Sequence, residues 1–197
     1  MLLSQLYEEL NAAPRWILAI DGNCCAGKST FAAQLAERFS ATVFHMDDFF
    51  LRPEQRTAER LAAPGGNVDY ERFRAEVLLP LTRGADVRLR RFDCGARRLL
   101  DARIVPFHPR VIVEGSYSLH PALWELYDRR ILLTVDPAVQ RQRLAREGAS
   151  RAERFLSLWL PLEAAYFSSF DPKDRADLVL DTSDWSKTAP SGDGAPT

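Results

Sequence analysis

The sequence predicts an α/β fold in which a five-stranded parallel sheet is covered by helices on both faces. Three observations carry that prediction. Gly22-Asn23-Cys24-Cys25-Ala26-Gly27-Lys28-Ser29-Thr30 fits G-x-x-x-x-G-K-[ST], a glycine loop closed by a lysine and a hydroxyl. Before it runs Trp16-Ile17-Leu18-Ala19-Ile20-Asp21, short, apolar and rich in strand formers, as in a buried parallel strand. After it Phe31, Leu35 and Phe39 recur at helical spacing on one face. Strand, loop and helix thus come in the order that sets a helix N-terminus, with its dipole and free N–H groups, behind the loop.

Such a loop is built to hold phosphate. Gly22 and Gly27 allow backbone conformations that turn successive N–H groups inward. Lys28 can reach β- and γ-phosphates, and the Ser29 hydroxyl can ligate Mg²⁺. The whole stretch, including Asn23, Cys24, Cys25, Ala26 and Thr30, is the expected nucleotide-phosphate site.

The 197 residues suffice for one domain with a substantial core, expected over 1–183. A net charge of -1 gives no basic excess of the kind nucleic-acid surfaces carry. Three cysteines make no disulfide framework, which points to a reduced, cytoplasmic setting. No apolar run approaches the roughly 18 residues that span a bilayer, and no basic segment leads into an apolar one at the start. Leu2, Leu6 and Leu10 mark a short amphipathic helix instead.

Thr42-Val43-Phe44-His45-Met46 reads as a second strand ending in Asp47-Asp48-Phe49-Phe50. Ligands of open α/β sheets bind beyond the carboxyl ends of strands, so this acidic pair arrives where chemistry occurs. A carboxylate there can accept a proton from an attacking hydroxyl or support Mg²⁺; it can equally cap the next turn. Residues 51–68, with Pro53, Pro64, Gly65 and Gly66, form a loop or short helix and a turn. Asp69 caps a helix to about Leu81, with Phe73, Val77 and Leu81 on one face. Val87 to Phe92 and Arg103 to Phe107 then read as a hairpin insertion, about 86–107, around a basic turn holding Arg97 and Arg98.

Arg110 to Gly115 is a buried strand ending in Glu114, placed to coordinate Mg²⁺ directly or through water. A helix is expected over roughly Pro121 to Tyr127, and Arg130 to Asp136 is the next strand. Pro137 opens a helix carrying Arg141, Arg143 and Arg146, with Arg151 beyond. Over a γ-phosphate, this arginine lid, about 141–152, would neutralise transition-state charge and exclude water; a solvated basic face is the alternative. A long helix follows from about Ala152 to Phe170 with Phe155, Leu158, Trp159, Leu162 and Tyr166 as its stripe, kinked or broken at Pro161. Ala176 to Leu180 is the last strand, and composition makes 184–197 a disordered tail.

Taken together, the loop, the Asp47-Asp48-Phe49-Phe50 strand end, the Val111 to Gly115 strand and the lid resemble the uridine kinase and phosphoribulokinase group, across roughly residues 16–181. The resemblance implies a nucleoside-monophosphate-kinase-like P-loop NTPase fold, ATP and Mg²⁺, and transfer of a γ-phosphate to a small-molecule hydroxyl. It implies Asp47 as catalytic base, Lys28, Arg143 and Arg146 as stabilisers of the moving phosphoryl group, and Ser29 and Glu114 at the metal. Acceptor contacts fall on Asp47, Phe50, Tyr70, Phe92 and Arg97. Two departures bear on the acceptor. Phe50 stands where the family has Tyr, and Phe92-Asp93-Cys94 with Arg97 stands where it has Tyr-Asp-Phe and a base-contacting His. These changes argue against uridine, and Arg97 points to an anionic acceptor such as a carboxylate or sugar phosphate. A vitamin precursor or dephospho-coenzyme A stays open, as does oligomeric state, with a homodimer one option. A nucleotide-dependent regulatory switch is the rival class, but the Asn-Lys-x-Asp and Asp-x-x-Gly motifs of a GTPase are missing.

Overall fold

The computed structural model describes residues 1–146, 148, 153 and 155–185. Its centre is a sheet built from β1 (Trp16–Gly22), β2 (Thr42–His45), β7 (Arg110–Glu114), β8 (Arg129–Thr134) and β9 (Leu178–Asp181). The five strands are wholly parallel and lie in the order β2–β7–β1–β8–β9. Every residue of β1 is buried, as expected for a central strand with both faces covered.

Two cores flank the sheet. On one side α1 (Leu3–Ala12) and α2 (Lys28–Phe39) pack Leu6, Leu10, Phe31, Leu35 and Phe39 against Leu18, Ile20, Ile112 and Ile131. Leu2, expected on the buried stripe, is 65% exposed because it precedes the helix as its cap. The other side is closed by a helix that runs as α4 (Tyr70–Phe73), a π-helical stretch (Arg74–Leu78) and α5 (Leu79–Thr82). Asp69 caps it by accepting from Arg72 N, and Phe73, Val77 and Leu81 face the core. Each such apolar side chain contributes about 1.5–3 kcal/mol of burial free energy.

A second π-helical stretch, Phe155–Trp159, leads into α7 (Leu160–Phe170). Each wide turn ends just ahead of a proline. Pro80 and Pro161 have no N–H for the carbonyl four residues earlier, at Glu76 and Ser157, so the helix widens rather than breaks. The widening turns the expected stripe: Tyr166 is fully buried, Phe155, Trp159 and Leu162 are partly so, and Leu158 points outward at 45% exposure. The start of this helix near Ala152 lies outside the described residues, as does Arg151.

The insertion pairs antiparallel in two pieces. β3 (Val87–Leu89) pairs with β6 (Arg103–Val105), and β4 (Phe92–Asp93) pairs with β5 (Arg98–Leu99). A short α3 (Ala58–Ala62), capped by Thr57, lies in the 51–68 loop. The helix expected over Pro121 to Tyr127 is instead a series of turns with one 3₁₀ turn at Trp124–Leu126. α6 (Pro137–Ala145) opens at Asp136, whose carboxylate accepts from Ala138 N and Val139 N. Asp184 and Trp185, assigned to the tail on composition, fall within the described fold: Trp185 N donates to Thr182 O and its ring packs 5.4 Å from that of Phe31. The remaining tail, 186–197, is outside the described residues. Among the described residues no helix is long and apolar enough to cross a membrane.

Candidate active site

Register brings the site together. Ile20 of β1 and His45 of β2 both pair with Glu114 of β7, so three strand ends meet beside the glycine loop. Gly22 leaves β1 at φ 148°, where a Cβ would run into the carbonyl oxygen of Leu133 on β8. Gly27 caps α2 at φ 90°. Only glycine takes these conformations without strain, which is the physical content of the two fixed glycines.

Ser29, in the first turn of α2, donates from Oγ to Glu114 Oε2 at 3.1 Å. The other oxygen, Oε1, lies 2.5 Å from His45 Nδ1, and this bond raises the imidazole pKa. A hydroxyl beside a carboxylate is a hard-oxygen donor set, and Mg²⁺ typically takes only one or two protein ligands and fills the rest from phosphate and water. The residues therefore fit the ion. Among the described residues no group of three or more His, Cys, Asp or Glu could by itself hold a metal ion.

Lys28 arches over the loop, with Nζ donating to Gly22 O at 2.8 Å and Asn23 O at 3.0 Å. Asp47 sits on the 3₁₀ turn Met46–Phe49 that follows β2 and faces the cleft. The cleft walls desolvate its carboxylate and push its pKa up, with nearby Glu114 acting in the same direction and Lys28 opposing. Asp48 is engaged elsewhere, accepting from Arg91 Nε at 2.6 Å. Of the acidic pair, Asp47 is the member that lines the cleft.

Two buried acids were not legible as site residues. Asp21, the penultimate residue of β1, collects four donors: Gly22 N, Tyr117 N, Leu119 N and the Tyr166 hydroxyl, at 2.7–3.1 Å. It ties the end of β1 to the loop after β7 and to α7; burial pushes its pKa up against these donors. Glu163 of α7 accepts from Cys24 N at 2.6 Å and also lines the cleft. Burial raises its pKa, and Lys28 and the Cys24 N–H act against the rise. Each acid left a trace in the sequence. Asp21 is the charged end of an otherwise apolar strand, and Glu163 falls between Trp159 and Tyr166 on the same helix face.

Lys28, Ser29, Asp47, Glu114 and Glu163 line a cleft of ≈ 720 Å³, with Asp21 buried outside that lining. From the loop it takes Cys24, Cys25, Gly27, Lys28, Ser29 and Thr30. Ala26 turns into the core instead. The lining also has an apolar and aromatic part, formed by Phe50, Tyr117, Leu144, Phe155 and Trp159, with Cys94 from the hairpin. Phe50 and Trp159 rings lie 5.5 Å apart.

Several expected contacts sit elsewhere. Arg97 is exposed at φ 53° in the hairpin turn, where Asp93 accepts from Gly95 N and Ala96 N, and it does not line the cleft; Cys94 does. Phe92 is half-buried in β4 and does not line the cleft. Tyr70 stacks on His120 at 3.8 Å with Arg60 over its ring, outside the cleft lining. Arg143 donates to the carbonyls of Cys25, Thr182, Ser183 and Trp185, so it braces the loop from behind. Arg146 follows α6 and is exposed.

Comparison with solved structures agrees with the fold. A possible uridine kinase from Bacillus stearothermophilus superposes with a TM-score of 0.68 at 22% identity, covering 90% of this chain and 96% of that one. A candidate fructose transport system kinase from Silicibacter sp. TM1040 gives 0.68 at 23% identity, over 91% and 99% of the two chains. The chain has a uridine-kinase-like P-loop fold. No protein-family model and no curated sequence matches it. At this level of identity the likeness fixes the architecture of the uridine-kinase-like fold, and the chemistry has to be read from the residues.

Proposed function

We propose that the chain is a Mg²⁺-dependent kinase that transfers the γ-phosphate of ATP to a hydroxyl of an uncharged small molecule. One observation carries the reading: Lys28, the Ser29–Glu114 pair and the carboxylate of Asp47 line the same cleft. Loop N–H groups and Lys28 would hold the nucleotide phosphates and balance the charge that develops on the moving group. When bound, Mg²⁺ would neutralise phosphate charge from Ser29, supported by Glu114. Asp47 would accept the proton of the acceptor hydroxyl, and its raised pKa makes it a stronger base than an ordinary carboxylate.

The lining also favours an acceptor class. Among the described residues Lys28 is the cationic member of the lining, against Asp47, Glu114 and Glu163. Arg91 and Arg72 pair with Asp48 and Asp69 and do not line the cleft. An anionic acceptor would meet carboxylates. A neutral one would meet carboxylates able to accept from hydroxyls and aromatic faces able to cover a flat or apolar surface. Phe50 and the displaced Arg97 both favour this over a carboxylate or sugar phosphate.

The test is ADP formation from MgATP across a panel of nucleosides, sugars and vitamin-type alcohols, alongside anionic analogues. With the responding acceptor, Asp47→Asn should lower kcat by about 100-fold or more while leaving ADP affinity within about threefold. Activity in that variant within about threefold of wild type would remove Asp47 as the base. ADP production that depends on a macromolecule instead of any small alcohol would favour a regulatory nucleotide switch.

A further inference from the structure

The glycine loop holds one non-glycine residue in a left-handed conformation, Cys25 at φ 60°. A side chain there costs free energy, and such a conformation persists only where its surroundings over-determine it. The surroundings are specific. Glu163 Oε1 accepts from Cys24 N at 2.6 Å, Gln140 Nε2 donates to Cys24 O at 3.0 Å, and Arg143 Nη1 donates to Cys25 O at 3.1 Å. Gln140 and Glu163 also meet each other at 3.4 Å, and both side chains are buried. Gln140 and Arg143, three apart on α6, share one helix face, and Glu163 comes from α7. None of the three belongs to the sequence motif.

We propose that Glu163 and Gln140 are positioning residues for nucleotide binding: they clamp the backbone of Cys24 and thereby hold Cys25 in the strained conformation that keeps the loop open to phosphate. This role rests on the kinase reading only insofar as the loop binds nucleotide. Glu163 contributes an acceptor geometry here, not a proton-transfer step. With the Cys24 N–H and carbonyl both held by side chains, the loop backbone is fixed before phosphate arrives, so the loop meets phosphate without reorganising. Strain and clamp are then coupled, and relieving the first makes the second dispensable.

That coupling gives the experiment. MgADP affinity is measured by calorimetry for wild type, Glu163→Ala, Glu163→Gln, Gln140→Ala and Glu163→Ala/Cys25→Gly, with thermal melts to verify folding. Glu163→Ala should weaken ADP binding about tenfold or more, and Gln140→Ala about threefold. Glu163→Gln, whose side-chain carbonyl still accepts from Cys24 N, should bind nearly as tightly as wild type. Adding Cys25→Gly to Glu163→Ala should recover most of the loss, because glycine adopts the left-handed conformation unaided. Glu163→Ala binding as tightly as wild type overturns the clamp, as does a loss that Glu163→Gln shares in full and Cys25→Gly leaves unrepaired. Should Glu163→Ala fail to fold, Gln140→Ala with and without Cys25→Gly decides the matter by the same criteria. Failure of wild type itself to bind MgADP would instead count against the nucleotide reading.

Discussion

At the scale of single residues, the buried His120 shows how position decides charge. It lies between the rings of Tyr70 and Phe170, and burial lowers its pKa to about 4. An ordinary histidine titrates near 6.5. Between those two values the unfolded chain binds more protons than the native one, so stability falls as pH drops from about 6.5 toward 4. The cost at the acid end is about 3 kcal/mol. Denaturant titrations should show His120→Phe losing less stability than wild type over that window, with equal slopes above pH 7. Asp47 works with the opposite sign. Its raised pKa means that the acid limb of kcat/KM should lie above the usual carboxylate range, and Asp47→Asn should abolish that limb together with the rate.

Secondary-structure elements carry the positioning. The π-helical stretch Phe155–Trp159 sends Phe155 and Trp159 into the cleft while Leu156 and Leu158 stay outside. Pro161 imposes that widening. Replacing it with alanine should let α7 extend regularly, rotate the two aromatics and raise the acceptor KM about tenfold while MgADP affinity holds. Equal KM values for both proteins would show that the acceptor does not touch this wall. The two halves of the cleft differ in how much of them local sequence records. The nucleotide half was legible because phosphate binding fixes residue types at fixed intervals, from Gly22 to Thr30. So were the core strands, whose apolar runs need no partner to be recognised. The other half was legible only in part. Of the residues the family resemblance implies for an acceptor, Asp47 and Phe50 line the cleft, whereas hairpin geometry and ring stacking hold Tyr70, Phe92 and Arg97 outside its lining. Glu163 and Gln140 act through backbone contacts more than a hundred positions away in sequence, a separation that no local pattern records.

Across the whole molecule, the cleft joins both cores, because β1 lies between them and delivers the loop at its end. Ligand binding there should therefore raise global stability. MgADP at about a hundred times its Kd adds about 2.7 kcal/mol, which is about 5–10 °C in Tm for a domain of this size. Lys28→Met should lose most of that shift. Cys24, Cys25 and Cys94 all border the cleft, yet Cys24 is not built as an oxidation switch. The neighbouring Cys25 thiol and burial push the Cys24 pKa well up, so its thiolate form is scarce at neutral pH. Mild peroxide should leave the Cys24 thiol unoxidised over the time in which a low-pKa thiol would react, as mass spectrometry of the peptide would show.

The docking of Trp185 has an optical consequence. Its indole packs against Phe31 and comes within 3.9 Å of where a Cβ on Gly27 would stand. An emitter is thus seated on the shoulder of the phosphate cradle. With Trp16, Trp124 and Trp159 changed to Phe, its fluorescence should respond to MgADP at stopped-flow speed, so the chain carries its own signal for the arrival of nucleotide.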